Sequence, residues 1–410
     1  MERLFRVMFN VTTLHFRCHD DPVDRLNRRY SVTVILFFTM IVSTAQYVGD
    51  PIRCWCPAQF TDSHKGYTNT ICWVSNTYYV PFEDQIPLQK DPETEINYYQ
   101  WVPIILMFQA LLCYLPCILW SFICRKSGFS FANFIDAAAA GQRTPYLDNR
   151  EKTLRYMVYQ LDRFLTTRAN RLSDLNSQRP LANALTRLQN GSYLTLGYLC
   201  VKLLYVANAI CQLYVLDLFL GTDFHFYGID VVRRFLSGDD WAASERFPRV
   251  TLCDFIVRHQ VATHRYIVQC VLPINLFNEK IFILLWFWLV TVAAVTALSF
   301  VKWTWRSLFW RQMTTYVRRE MSSLPDEKHD DAADALDSFT NRSLCRDGVF
   351  ILHLLRDNMG SMIAAEVLGG LWARHCAQKM PPPSPINGGV IPHREDTDTG
   401  SLPRKPKEIA

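Results

Sequence analysis

The sequence lacks the motifs with which enzymes hold a reacting group. It contains no Gly-x-Ser-x-Gly segment, no phosphate-binding glycine loop and no protein-kinase motif. Its loop histidines, His64, His225, His259 and His264, do not follow the spacing of zinc ligands. We therefore expect no catalytic residue, no metal site and no cofactor, and we predict that the chain is not an enzyme.

A strong charge of one sign is also missing. The 410 residues carry a formal net charge of only +5 at pH 7, without zinc-finger spacing or a basic-aromatic strip. Nucleic acid is therefore not an expected partner.

Hydrophobic residues make up 50% of the chain and charged residues 20%, with a mean hydropathy of zero. That average combines long apolar runs with charged connecting segments, which is typical of membrane proteins with substantial soluble parts.

Four apolar runs are long enough to cross a bilayer, which takes about 20 mostly apolar residues of helix. The predicted spans are residues 31–48, 103–123, 193–216 and 277–301. The first run is also similar to the core of a cleaved signal peptide, with Ser43-Thr44-Ala45 as a passable cleavage site. A retained anchor is favoured, because the run exceeds the ~7–15 residues of a signal core and follows a long polar segment.

The distribution of Lys and Arg predicts the orientation. Basic residues gather before the first span, between the second and third, and after the fourth, whereas residues 49–102 contain only Arg53, Lys65 and Lys90. Because cytoplasmic segments are enriched in Lys and Arg, both termini are predicted to be cytoplasmic. The other predicted segments are an N-terminal arm (1–30), extracellular loops (49–102 and 217–276), a cytoplasmic loop (124–192), a cytoplasmic helical region (302–379) and a disordered tail (380–410).

Five cysteines fall in the two predicted extracellular loops: Cys54, Cys56, Cys72, Cys253 and Cys270. Oxidation is permitted outside the cell, and crosslinks between two short loops stabilise them by on the order of a few kcal/mol. Five cysteines cannot all pair, so one is expected to stay unpaired. We therefore predict an all-α membrane protein with four transmembrane helices, two disulfide-linked extracellular loops and a cytoplasmic helical layer. The loops are expected to have small β content, including a short strand within residues 74–80.

The third span is the least apolar of the four. Its polar side chains follow steps of four, three, three and four and form one stripe on a helix: Tyr198, Lys202, Tyr205, Asn208 and Gln212. A lysine facing lipid is costly, so Lys202 is expected to face other helices or water. Two interpretations stay open, a buried hydrogen-bonded seam and the wall of an aqueous path.

Two further features each have a structural and a functional interpretation. Pro116 in the second span frees a backbone carbonyl and predicts a kink. Many spanning helices carry a proline without a functional role, and the functional alternative is a gating hinge. In the N-terminal arm, Leu4, Phe5, Met8 and Val11 share one helical face, and the residues alone favour a membrane-surface helix over an arm folded into a pore mouth.

Several short segments recur in the order expected of one known family. The central one is Tyr98-Tyr99-Gln100-Trp101-Val102-Pro103. The others are Gly49-Asp50-Pro51 before Cys54-Trp55, Pro57-Ala58-Gln59-Phe60, Cys72-Trp73, Phe247-Pro248-Arg249-Val250-Thr251-Leu252-Cys253, His264-Arg265-Tyr266 with Gln269-Cys270, and Asn278-Glu279-Lys280. With these residues the chain closely resembles the innexins, the gap-junction family of invertebrates, and most of all their nematode branch. The first segment is that family's signature.

The resemblance implies a disulfide pairing. Cys54 would pair with Cys270 and Cys72 with Cys253, which leaves Cys56 as the candidate for the unpaired thiol. It also implies a hexamer-like or octameric ring of innexin subunits, homo- or hetero-oligomeric and with eight favoured, around a wide pore in the plasma membrane. Two such rings in apposed cells dock through their extracellular loops to form a gap junction.

The same resemblance implies that the N-terminal arm folds into the pore. Selectivity for ions and small metabolites would come from pore width and from the charges on the arm. The residues expected to line the pore are Met1, Glu2, Arg3 and Arg6. Membrane lipid is the other expected partner.

Three functions are weighed. The leading one is an intercellular channel, supported by the lack of a glycan-acceptor Asn in either predicted extracellular loop, since those at Asn10, Asn190 and Asn341 are predicted to be cytoplasmic. The second is a non-junctional hemichannel in the plasma membrane. The third is a four-span adhesion or scaffold protein similar to tetraspanins, which the absence of a Cys-Cys-Gly motif disfavours.

Overall fold

The computed structural model describes residues 21–81, 95–143, 147–174, 180–221, 224–238, 246–259, 262–323 and 333–379. The helices are α1 (Pro22–Tyr47), α2 (Asp62–Val74), α3 (Val102–Ser127), α4 (Phe131–Arg143), α5 (Leu147–Asp174), α6 (Pro180–Leu220), α7 (Tyr227–Ser237), α8 (Pro273–Leu308), α9 (Trp310–Met321), α10 (Ala333–Phe339), α11 (Cys345–Met359) and α12 (Ser361–Lys379). The strands are β1 (Arg53–Trp55), β2 (Thr77–Tyr78), β3 (Glu95–Ile96), β4 (Val250–His259) and β5 (Ala262–Val271).

Within the described ranges, four helices are long and apolar enough to cross a membrane, which confirms the predicted fold class. They are α1, α3, the Gly191–Leu220 part of α6, and α8. α1 packs on α3, α3 on α6, α6 on α8, and α8 returns to α1, so the four helices form a closed bundle. The helices extend beyond the apolar runs; α1, for example, begins at Pro22, whereas the predicted span begins at Ser31. Proline suits a first helical turn, and helix geometry continues through charged residues that lie outside the hydrocarbon.

Both loop segments contribute strands to one antiparallel sheet of order β1-β5-β4-β2-β3. β4 and β5 form a long hairpin that pairs from Val250 opposite Val271 to His259 opposite Ala262. β1 adds to β5 on one side, and β2 adds to β4 on the other. The strand expected within residues 74–80 is the two-residue β2, because α2 extends to Val74. We call the end of the bundle that carries this sheet the sheet end.

The opposite end of the bundle carries a layer built from α4, α5 and α9 to α12, which we call the helical end. Its apolar core surrounds Phe350, whose ring lies 5.0 Å from that of Tyr198, 5.7 Å from that of Trp303 and 6.1 Å from that of Trp120. Three of these four aromatic residues belong to spanning helices. The layer is therefore packed directly onto the bundle.

Asp347 of α11 holds the third span where it starts. α6 is kinked at Ser192, whose φ of −142° is not helical. The freed backbone N–H groups of Leu194 and Thr195 donate to the Asp347 carboxylate at 3.3 and 3.0 Å, and the Thr195 hydroxyl donates to it at 2.9 Å. Arg168 forms an ion pair with the same carboxylate at 3.4 Å. Asp347 thus caps the spanning part of α6 from another helix, as a side chain at a helix N-terminus does.

We expect the helical end to lose stability in acid through His353. Burial, aided by Arg306, Arg356 and Lys302, lowers the pKa of His353 from 6.5 to about 3, and Tyr316 stacks on its ring at 3.7 Å. The unfolded state therefore binds a proton below pH 6.5 that the folded state excludes, so stability is complete above pH 6.5 and falls between pH 6.5 and 3. At pH 5 the loss is roughly 2 kcal/mol.

Hydrogen exchange of the α11 amides at pH 7, 6 and 5, corrected for intrinsic exchange, measures this loss. His353→Gln keeps a polar side chain of similar size and removes the titrating imidazole. The pH slope of protection should therefore be smaller in His353→Gln than in the unmodified chain. An equal slope in both proteins would assign the acid sensitivity to other groups.

Candidate functional site

Two disulfides crosslink the two loops at the sheet end. Cys54 bonds to Cys270 across the β1–β5 pair, and Cys72 at the end of α2 bonds to Cys253 of β4. This confirms the predicted pairing. The sulfur atoms of Cys54, Cys72 and Cys270 lie within 4.8 Å of one another, but all three are disulfide-bonded and none offers a thiolate to a metal. Cys56 is a half-buried free thiol, with its sulfur 3.7 Å from the Cys54 carbonyl oxygen.

The Tyr98–Pro103 segment joins the two loops to the first and second spans. The Tyr98 hydroxyl donates to the Arg246 carbonyl at 3.0 Å, and the Tyr99 ring lies 4.8 Å from that of Trp73. The Gln100 side chain donates to the Trp73 carbonyl, and the Gln100 carbonyl accepts a hydrogen bond from Gln46 of α1 at 3.3 Å. Burial raises the pKa of Tyr98, so its hydroxyl stays a neutral donor.

The second loop is fixed to the start of α8 in a comparable way. Asn275 donates to the Pro248 carbonyl at 2.9 Å, and Arg249 forms an ion pair at 2.9 Å with Glu279, which is almost fully buried. The motif at residues 247–253 and the motif at residues 278–280 therefore meet in space. These polar contacts, with the two disulfides, make the sheet end one braced unit rather than two independent loops.

Lys202 is fully buried and lies at the centre of a buried ion cluster inside the bundle. Its ammonium group is 2.8 Å from an oxygen of Asp21, 2.8 Å from an oxygen of Asp24 and 2.9 Å from the Ser299 hydroxyl. Two carboxylates and one ammonium give the cluster a formal charge of −1. Because an unpaired charge is costly away from water, the remaining carboxylate charge needs neutral donors.

Neutral donors from the third and fourth spans supply this need. The Ser299 hydroxyl and the Trp303 indole donate to Asp21 at 2.8 and 3.1 Å, and the Tyr198 hydroxyl donates to Asp24 at 2.7 Å. The cluster thereby ties the beginning of α1 to α6 and α8. It therefore fixes the first turn of α1 within the bundle.

The stripe predicted on the third span is mostly buried. Tyr198, Lys202, Tyr205 and Gln212 are buried, and Asn208 is half-buried. Gln212 exchanges reciprocal hydrogen bonds with Gln109 of α3, each side chain donating to the other's carbonyl at 3.1 and 3.2 Å. In the single subunit the stripe therefore has the arrangement of a buried hydrogen-bonded seam between α6 and its neighbouring helices, rather than that of the wall of an aqueous path.

The remaining candidate residues have different outcomes. Pro116 is buried in the middle of α3, which continues through it. Met1, Glu2, Arg3 and Arg6 lie outside the described residues. Sequence reasoning missed Asp21 and Asp24 as partners of Lys202, although two acidic residues three positions apart beside a span were a usable signal, since a lysine within a span needs an anionic partner.

Comparison with known proteins agrees with this geometry. The sequence model of the family described as Innexin matches residues 20–375. Innexin unc-9 of Caenorhabditis elegans is 36% identical over 371 residues, covering 90% of this chain and 95% of the relative. Innexin-3 of the same organism is 36% identical over 359 residues (87% and 84%), and Innexin-19 of Caenorhabditis briggsae is 31% identical over 397 residues (89% and 88%). The chain belongs to the innexin family, whose members are multi-pass subunits of membrane channels.

Proposed function

We propose that this chain is a subunit of an oligomeric gap-junction channel that passes ions and small metabolites between adjacent cells. The observation that supports this best is the single disulfide-linked sheet formed by both loops. A surface that docks to another cell must keep its shape without support from the bilayer. In this proposal the sheet end lies outside the cell, where disulfides persist, both termini lie in the cytoplasm, and eight subunits surround the pore.

The outer part of the β4–β5 hairpin is the proposed docking element. β1 pairs with β5 only at residues 269–271, and β2 pairs with β4 only at Leu252. From Asp254 to Ile267 the hairpin has no third strand among the described residues. Ile256 is 60% exposed there, and Arg265 forms an ion pair with Asp254 across the strands. The result is a two-stranded ribbon that buries Phe255 on one face, exposes Ile256 on the other and is held at its base by the disulfides.

Current recorded from single cells and from cell pairs tests this proposal. Ile256→Asp should reduce coupling between paired cells at least tenfold and leave single-cell current and surface amount unchanged. The new carboxylate is exposed in the undocked channel and would be buried only when two channels dock, so it opposes docking and not assembly. Val74→Asp, at an exposed position at the end of α2, is the matched control. If the unmodified chain carries single-cell current without any coupling in pairs, the non-junctional hemichannel is the correct function.

The N-terminal arm is proposed to line the pore through Met1, Glu2, Arg3 and Arg6. The support is the ion cluster at Lys202, which anchors the start of α1, directly after residues 1–20 in the sequence. Arg3→Glu with Arg6→Glu should then shift the reversal potential in a salt gradient toward cation selectivity. An unchanged reversal potential would remove the arm from the conduction path.

Pro116 is proposed as a gating hinge of the second span. Its support is its buried position in the middle of a continuous helix, where the missing N–H lowers resistance to bending. Pro116→Ala should shift the midpoint of channel gating. Unchanged gating would leave Pro116 with a packing role only.

A further inference from the structure

The helix α7, in the segment between the third and fourth spans, has more apolar surface than the protein covers. Its polar residues Asp230, Arg233, Arg234 and Ser237 lie on one side. Apolar residues occupy the rest of the circumference, and one part of this apolar arc packs on the bundle. Tyr227 and Gly228 are buried, and Gly228 lies so close to the Trp286 ring that any side chain there would collide with it.

The other part of the apolar arc has no cover in the subunit. Ile229, Val232 and Leu236 follow steps of three and four and form one ridge, which is exposed and continuous with the packed part. Leu236 is 79% exposed, and the neighbouring Phe235 is 71% exposed. α7 thus combines a wide apolar arc with a charged side. A helix of this kind lies in the plane of a membrane interface.

The position of α7 along the fourth span agrees with that assignment. The Trp286 indole donates to the His225 carbonyl at 3.1 Å, which places the start of α7 at the level of Trp286. Lys302, the first basic residue after the apolar run of α8, follows Trp286 by about 16 residues or ~24 Å of helix, whereas the hydrocarbon core is ~30 Å thick. α7 therefore begins ~6 Å inside the hydrocarbon boundary at the sheet end, within the ~5–10 Å depth to which interfacial helices bury their apolar face.

The exposed ridge also continues onto the surfaces of neighbouring elements. Tyr214 and Leu218, near the end of α6, are 59% and 88% exposed. The Tyr214 ring stacks on that of His225 at 6.2 Å, and His225 contacts the exposed ring of Phe226 at 4.2 Å. Exposed aromatic rings at one level are typical of the interfacial belt of membrane proteins.

We infer that α7 is a lipid-binding helix that inserts Ile229, Val232 and Leu236 into the leaflet at the sheet end and directs Arg233 and Arg234 to phospholipid phosphates. Within the described part of the chain, neither guanidinium has an ion-pair partner, and both are exposed. Guanidinium groups bind phosphate in a bidentate way. A contact with a second copy of this chain is the alternative, but the depth of α7 along the fourth span and the exposed aromatic rings beside it favour lipid.

Photocrosslinking of the purified full-length assembly in phosphatidylcholine vesicles tests the inference. p-Benzoyl-phenylalanine is introduced at Leu236 and, as the matched control, at Ser237 on the polar side. After irradiation, the Leu236 probe should form a covalent adduct with a headgroup-labelled phosphatidylcholine in at least tenfold higher yield than the Ser237 probe. Covalent dimers of the chain from the Leu236 probe would instead assign the ridge to a subunit contact, and equal yields or no adduct would overturn lipid insertion.

A second variant tests the arginines separately. Arg233→Glu with Arg234→Glu, combined with the Leu236 probe, should lower the yield of lipid adduct at least threefold, because two carboxylates repel the phosphates. Size-exclusion chromatography of the same sample verifies that the assembly is intact. An unchanged yield from an intact assembly would show that the arginines do not bind the headgroups.

Discussion

Lys202→Met is expected to lower the melting temperature of the detergent-solubilised assembly by about 10 °C. The substitution keeps the volume of the side chain but leaves Asp21 and Asp24 buried without their cation. Removing one partner of a buried ion pair costs ~3–5 kcal/mol, which is a large part of a net stability of ~5–15 kcal/mol. Heating followed by size-exclusion chromatography measures the fraction of assembly that survives.

The control and the rescue separate charge from packing. Lys302→Met removes a lysine from the exposed end of α8 and should leave the melting temperature within about 1 °C, as surface changes usually do. Lys202→Met combined with Asp21→Asn and Asp24→Asn should recover most of the loss, because no buried charge remains. If the triple variant is no more stable than Lys202→Met, packing rather than charge explains the effect.

Cys72→Ser should abolish coupling between cells and destabilise the sheet end by about 2–5 kcal/mol, the usual cost of losing a native disulfide from a small unit. It also frees Cys253 beside the Cys54–Cys270 bond, where a thiolate can attack a disulfide sulfur and exchange with it. The single variant should therefore form mixed disulfides. Non-reducing electrophoresis after alkylation of free thiols detects them.

Two further variants complete this test. Cys72→Ser with Cys253→Ser removes the bond without creating a thiol, so it should lose stability but form a homogeneous product. Cys56→Ser removes a thiol that is not in a disulfide and should behave like the unmodified chain. Normal coupling by the double variant would mean that the Cys54–Cys270 bond alone keeps the docking surface in shape.

Features of the chain that depend on local composition could be predicted from the sequence. The four spans follow from the length of the apolar runs, and the disulfide pairing follows from a resemblance carried by Tyr98–Pro103 and the motifs around Cys72 and Cys253. α2 was not predicted, because residues 62–74 include Gly66 and several β-branched residues that favour helix weakly. Its helix is supported by the capping box of Thr61 and His64 and by the disulfide at Cys72.

The contacts that position the site depend on residues far apart in sequence. Lys202 and Asp21 are separated by 181 positions, so periodicity placed Lys202 on a polar stripe but could not name its partners. The same applies to Asp347, which caps α6 from 152 positions away. A buried charge needs a partner of opposite sign, but periodicity describes one helix at a time and does not show which distant residue supplies that partner.

The nested bridges of the sheet end have a consequence for the integrity of the chain. Cys54 and Cys72 lie before the second span, and Cys253 and Cys270 follow the third. Any single proteolytic cut between Cys72 and Cys253 therefore yields two fragments that are still covalently joined and that separate only on reduction. A channel nicked in the segment between its second and third spans would keep both halves in the membrane as one molecule.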